Sequence, residues 1–210
     1  MSLTFQTSLF DDVDAEPHLG ELHGRVRRIV LDHGAWIDIR PEWVANSDEL
    51  FERLALGVPW HADKREMFER VVAVPRLVSW FGAGSRFPDP ILTTAQARLN
   101  EYYHAPAEQT LKTAGLCFYR TGDDSVAWHG DRVGRGINRD TMVAIVSVGA
   151  ARTLSVRPKG GGDTLKFPLG HGDLIVMGGS AQRTYEHAIL KTRQALGPRI
   201  SIQFRPDWSR

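Results

Sequence analysis

Six short segments in the second half of the chain constrain its fold most: GLCFYR (115–120), MVAIVSVGA (142–150), RTLSVRP (152–158), LKFPL (165–169), DLIVMG (173–178) and RISIQFR (199–205). They are β-branched or aromatic, follow a period of two, and are separated by Gly, Pro and Asp turns, as in an all-β sandwich or barrel. The GGG run at 160–162 is read as a flexible hairpin turn; no Lys- or Ser-bearing helix follows it to make a phosphate cradle. The first half has a different pattern. SDELFERLAL (47–56) predicts a short helix, capped by Ser47, with Asp48 and Glu49 at its positive end and Leu50, Phe51 and Leu54 on one face. A second helix is predicted over TTAQARLNEYYHA (93–105). A helical first part packed on a β second part is the α+β class, and 210 residues form one domain, 1–210, large enough for a real core.

A net charge of +1 excludes a strongly basic domain, so any nucleic-acid contact must come from local Lys and Arg clusters. The single cysteine, Cys117, cannot form an intramolecular disulfide, which suits a reducing compartment and leads us to expect a cytoplasmic protein. The N-terminal FQTSLF runs into acidic DDVDAE without the layout of a signal peptide. No apolar run approaches the roughly 20 residues of a membrane helix, so no membrane association is expected.

In RISIQFR, strand alternation puts Ile200, Ile202 and Phe204 on one face and Arg199, Ser201, Gln203 and Arg205 on the other. The polar face of an arbitrary strand is more often simply solvated. In a concave sheet, however, two arginines can receive an acid, because guanidinium presents a planar fork to a carboxylate. About 20 Å separates the ends of such a strand, so Arg199 and Arg205 would serve different parts of a site. Upstream, WHGD places His129 and Asp131 two residues apart, with Gly130 allowing close backbone passage. An isolated His-x-Asp more often has a structural or surface role. With His187 in TYEHAI on a distant strand, it becomes two histidines and a carboxylate on one face of a metal, the arrangement of non-heme Fe(II) oxygenases.

These segments together, WHGD, SVGAARTLSVRPK, GHGDLIVMGGSAQRTYEHAI and RISIQFR, resemble the AlkB family of Fe(II)- and 2-oxoglutarate-dependent dioxygenases in order and spacing. VPWHADKREMFERVVAVPRLVSWFG is similar to the family's nucleotide-recognition segment, so the resemblance covers about residues 58–205. It implies a double-stranded β-helix, or jelly roll, over 115–210, and a nucleotide-recognition lid and helical support over 58–114; residues 1–57, outside the resemblance, are read as N-terminal packing with helix. It makes His129, Asp131 and His187 the iron ligands and Arg199 the partner of the distal carboxylate of 2-oxoglutarate. Arg205 falls on the metal side, and Tyr119 and Ser201 join the cosubstrate site. The implied reaction consumes Fe(II)-bound 2-oxoglutarate and O2, dealkylates N-alkylated bases and releases formaldehyde, succinate and CO2.

The implied partner is alkylated DNA or RNA that is single-stranded or locally unpaired; the sequence does not give the oligomeric state, and a monomer is assumed. Reaching a base carbon requires taking the base out of its stack. For that the resemblance offers Trp60 first, then Trp80 and Phe81, although aromatics at such spacings are more often core. Arg132 and Arg157 are the expected basic contacts, with Arg135, Arg139, Arg152 and Lys159 nearby; a solvated charge run is the plainer alternative. His61, His104 and His171 are read as structural or surface residues. Five positions depart from the family: Cys117 where Asn is usual, Ser201 and Gln203 where Asn and Thr are usual, Val133 where repair members often carry an acid, and Leu190 in place of proline. A jelly roll can equally host a small-molecule or protein hydroxylase, or a non-catalytic nucleic-acid-binding module.

Overall fold

The computed structural model describes residues 16–67, 70–104, 106–107, 109–131 and 139–207, with backbone alone for 63–67 and 70–74. Among the described residues there are fourteen strands and three α-helices. A short pair, β1 (His18–Leu19) and β4 (Val44–Ala45), stands apart. An eight-stranded antiparallel sheet runs in the order β2 (Arg27–Val30), β3 (Trp36–Arg40), β12 (Asp173–Gly178), β9 (Val143–Gly149), β14 (Arg199–Pro206), β7 (Leu111–Tyr119), β6 (Arg70–Phe81), β5 (His61–Met67). A four-stranded sheet runs β11 (Leu165–Leu169), β10 (Arg152–Pro158), β13 (Tyr185–Ile189), β8 (Val126–His129). Two packed sheets of this kind are a jelly-roll core, and the strands expected after residue 115 form it.

The large sheet divides two hydrophobic cores. One face packs on helices α1 (Ser47–Gly57) and α2 (Pro90–Tyr103), burying Leu50, Phe51, Leu54 and Leu99 against Ile200, Ile202 and Phe204. The other faces the small sheet, where Val143, Ile145, Ile175 and Met177 meet Leu154, Val156, Phe167 and Ile189. Strand β9 is covered on both sides, which is why VAIVSVG is nearly continuously apolar and not alternating.

Three expectations are corrected. Ser47 does not cap α1: the capping position is Asn46, in the left-handed region (φ 51°), and the Ser47 hydroxyl donates to Val44 O at 2.6 Å. Helix α2 begins earlier than the TT pair, because Asp89 accepts from Ile91 N at 2.9 Å and Pro90 fits the first turn. The division at residue 115 between a helical and a β part also fails. WIDIR forms β3 and pairs with β12, carrying the N-terminal segment into the large sheet. Strands β5 and β6 pair antiparallel and continue the same sheet beyond β7. Among the described residues no helix is long and apolar enough to cross a membrane.

Candidate metal centre and cosubstrate pocket

Strands β8 and β13 pair so that His129 lies directly opposite His187, and the imidazole centroids stand 4.3 Å apart. Asp131 lies past the end of β8, so strand alternation does not bring it in; a close turn at Gly130 does. A Cβ on Gly130 would lie 2.6 Å from Gln182 O, closer than packing permits. The turn is held by Asp131 N, which donates to Gln182 Oε1 at 2.9 Å. One ligand atom each from His129, Asp131 and His187 lies within 4.8 Å of the others, a set that could hold one metal ion.

Protonation is arranged for metal binding. Ala127 O can only accept, so His129 Nδ1, 2.8 Å away, donates to it, and the tautomer this selects presents the Nε2 lone pair to a metal. Burial, reinforced by the neighbouring His129, pushes the His187 pKa down to about 3, leaving a neutral imidazole at neutral pH. Burial alone would raise the Asp131 carboxyl, but the nearby Arg205, His187 and His129 outweigh it and hold the group down to about 2. Arg205 Nε donates to Asp131 Oδ2 at 2.8 Å, and its Nη2 donates to Gln203 Oε1 at 3.0 Å.

The polar face of β14 is turned inward. Arg199 is 1% exposed; its Nε donates to Ser147 Oγ at 2.8 Å, while Nη1 and Nη2 are buried without a hydrogen-bond partner among the described residues. Such orphaned donors are costly unless a ligand satisfies them, and the carboxylate of a 2-oxo acid fits that fork. Tyr119 is paired with Arg199 across the sheet, its ring centroid 5.2 Å from the guanidinium carbon. Burial, with Cys117 nearby, pushes its hydroxyl pKa up to about 12, so it remains a donor. Ser201 and Cys117 are also paired, and Ser201 Oγ accepts from Gln203 Nε2. Arg76 on β6 donates to Cys117 Sγ at 3.4 Å. Sequence reasoning missed Ser147, Gln182 and Arg76. Only Ser147 carried a local signal, as a polar residue inside an apolar run.

The expected substrate contacts are placed unevenly. Trp60 is not brought to the metal cluster: its indole donates to Ala55 O and packs on Phe118, on the helix side of the large sheet. Trp80 is on the site side, opposite Gly115, and is 58% exposed. A Cβ on Gly115 would come within 3.1 Å of that ring and 2.9 Å of Arg205 Nη1, so glycine lets both side chains lie on the sheet floor. Arg157 stacks at 4.0 Å over Trp128 and is paired with Glu186 at 2.5 Å, which offsets its charge. Arg152 is buried, not part of a basic mouth. Arg132, Val133 and Arg135 lie outside the described residues. His171 is structural, accepting from Gly149 N at 2.7 Å and facing Asp48.

Comparison with known proteins agrees with this geometry. The family model of the 2OG-Fe(II) oxygenase superfamily matches residues 82–205. The chain is 30% identical over 200 residues to the mouse (Mus musculus) alpha-ketoglutarate-dependent dioxygenase alkB homolog 3, covering 86% of this chain and 66% of that protein, just short of two thirds of its length. It is 24% identical over 181 residues to human (Homo sapiens) DNA oxidative demethylase ALKBH2, covering 77% and 69% of the two chains. A 2OG-Fe(II) oxygenase family oxidoreductase from Burkholderia pseudomallei has the same fold, with a TM-score of 0.58 at 13% identity over 80% of this chain and 84% of that one. The cofactor and cosubstrates of this family are Fe(II), 2-oxoglutarate and O2, which the His129–Asp131–His187 set and the open fork of Arg199 suit. The chain therefore belongs to the 2OG-Fe(II) oxygenase superfamily.

Proposed function

We propose that the protein oxidatively dealkylates N-alkylated bases in single-stranded or locally unpaired DNA or RNA. The observation that carries the reading is the exposed Trp80 indole beside Arg205, whose partner Asp131 is a metal ligand. It is an open aromatic face where a base taken out of its stack can lie, and stacking on such a face contributes roughly 1–3 kcal/mol. The name of the ALKBH2 relative, a DNA oxidative demethylase, supports the same substrate class. When bound, Fe(II) with 2-oxoglutarate and O2 supplies the oxidant. His129, Asp131 and His187 hold the metal, Arg199 and Tyr119 fix the cosubstrate, and Trp80 presents the base.

Extruding a paired base costs a few kcal/mol, so methylated single strands turn over at least as well as duplexes. The test measures formaldehyde from 1-methyladenine and 3-methylcytosine in matched single- and double-stranded oligonucleotides, with succinate formed in their absence as the baseline. Iron and 2-oxoglutarate binding without stimulation by any methylated oligonucleotide would overturn the nucleic-acid reading and leave a small-molecule or protein hydroxylase.

The two tryptophans separate position from composition. Trp80→Ala raises the KM for oligonucleotide roughly tenfold, the equivalent of about 1.4 kcal/mol of stacking, without altering succinate formed in the absence of substrate. Trp60→Ala lowers the melting temperature and leaves that KM unchanged. The reverse pattern would return the substrate surface to Trp60.

A further inference from the structure

We propose that Arg152 is a positioning residue: one buried guanidinium that fixes both metal-bearing strands against the cosubstrate wall. It is 4% exposed and stands at the start of β10. Its Nη1 donates to Thr121 O at 3.0 Å, and its Nη2 donates to Asp124 O at 2.9 Å and Leu190 O at 3.0 Å. All three acceptors are main-chain carbonyls, so the contact sets backbone positions.

Those carbonyls lie at informative places. Thr121 follows β7 two residues after Tyr119, Asp124 stands two residues before β8, which ends in His129, and Leu190 directly follows β13, which carries His187. Strands β8 and β13 are antiparallel, with Val126 opposite Ile189 and His129 opposite His187. The guanidinium therefore joins them at the end away from the metal ligands. Between that end and the histidines the pairing is irregular, with a register shift between His187 and Ile189, so the pair is not fixed by a regular ladder alone.

The same guanidinium reaches the cosubstrate side. Its carbon is 5.6 Å from the Tyr119 ring centroid, while that of Arg199 is 5.2 Å from it. Tyr119 thus has the carboxylate fork as one neighbour and the strand clamp as another. The loop between β7 and β8 is further closed by Arg120, whose Nε and Nη2 bind Asp124 at 2.8 and 2.9 Å, and by Ser125 N, which donates to Pro75 O at 2.7 Å. A displaced Arg152 would move the root of the His129 strand and the setting of Tyr119 together. Lysine retains the charge but has no planar fork with which to span three carbonyls.

The proposal rests on the metal and cosubstrate assignment, not on the nucleic-acid reading, and its test needs no oligonucleotide. Arg152→Lys and Arg152→Met are compared with wild type by circular dichroism and melting, by anaerobic calorimetry with Fe(II), and by 2-oxoglutarate titration of the Fe(II)-loaded protein. In folded protein both affinities are expected to fall together by roughly 10-fold or more, as for outer partners of metal ligands. In turnover the KM for 2-oxoglutarate rises more than kcat falls. Lys recovers part of the loss of Met. Unchanged affinities in variants that only melt earlier would overturn the proposal, as would failure of both variants to fold, since either result makes Arg152 a scaffold residue alone. Wild-type protein that binds neither Fe(II) nor 2-oxoglutarate would instead overturn the site assignment beneath it.

Discussion

Replacing His187 with alanine abolishes turnover and lowers Fe(II) affinity by more than the roughly 10–100-fold typical of losing an outer partner of a ligand. His187 is buried, faces His129 across the strand pair and lies within reach of Asp131. Among the described residues no other histidine joins the cluster, and His171 is engaged with Gly149 N and Asp48, on the helix side of the large sheet. Its imidazole is held neutral by burial, so its loss removes a lone pair already free to bind at neutral pH. Anaerobic calorimetry with Fe(II), alongside His171→Ala as a folded control, measures the effect. Wild-type iron affinity in His187→Ala would remove this residue from the metal centre.

Substituting Arg199 with lysine acts on the cosubstrate and spares the metal. The fork leaves Nη1 and Nη2 without hydrogen-bond partners among the described residues, and a carboxylate docked there gains two charge-assisted hydrogen bonds. Loss of one such bond costs about 2 kcal/mol, so the 2-oxoglutarate KM should rise roughly 30-fold. Arg199 is not among the grouped metal ligands, so Fe(II) affinity stays within about twofold. The lysine also loses the bond from Nε to Ser147, which is expected to lower the melting temperature but not to change metal binding. An unaltered cosubstrate requirement would place the anchor on another residue.

Much of the site was legible because it follows from short-range geometry. Alternation in RISIQFR separates Arg199 and Arg205 from Ile200, Ile202 and Phe204, and the sheet preserves that separation. The His-x-Asp with an intervening glycine does come together with His187, although Asp131 reaches the cluster by a turn and not by strand alternation. What could not be read was which distant segments meet. Trp60 and Trp80 look alike in sequence, yet one packs behind the large sheet and the other lies on its open floor, a difference set by the pairing of β6 with β7. Arg152 resembled a surface cation because its acceptors are carbonyls, which carry no side-chain signature. WIDIR does alternate, with Ile37 and Ile39 on one side, but its partner β12 lies far along the chain.

Strand β14 has a consequence for how this protein can change over time. Positions 200, 202 and 204 point toward the helices, and positions 199, 201, 203 and 205 toward the chemistry. Even-numbered positions are thus open to exchange among apolar residues of similar volume, while odd-numbered ones answer to what the pocket must hold. A new cosubstrate or substrate preference can evolve on this strand without eroding the fold. An inserted or deleted residue within it would exchange the two sets at one stroke, so variation in length is confined to the loops while the strand itself varies only by substitution.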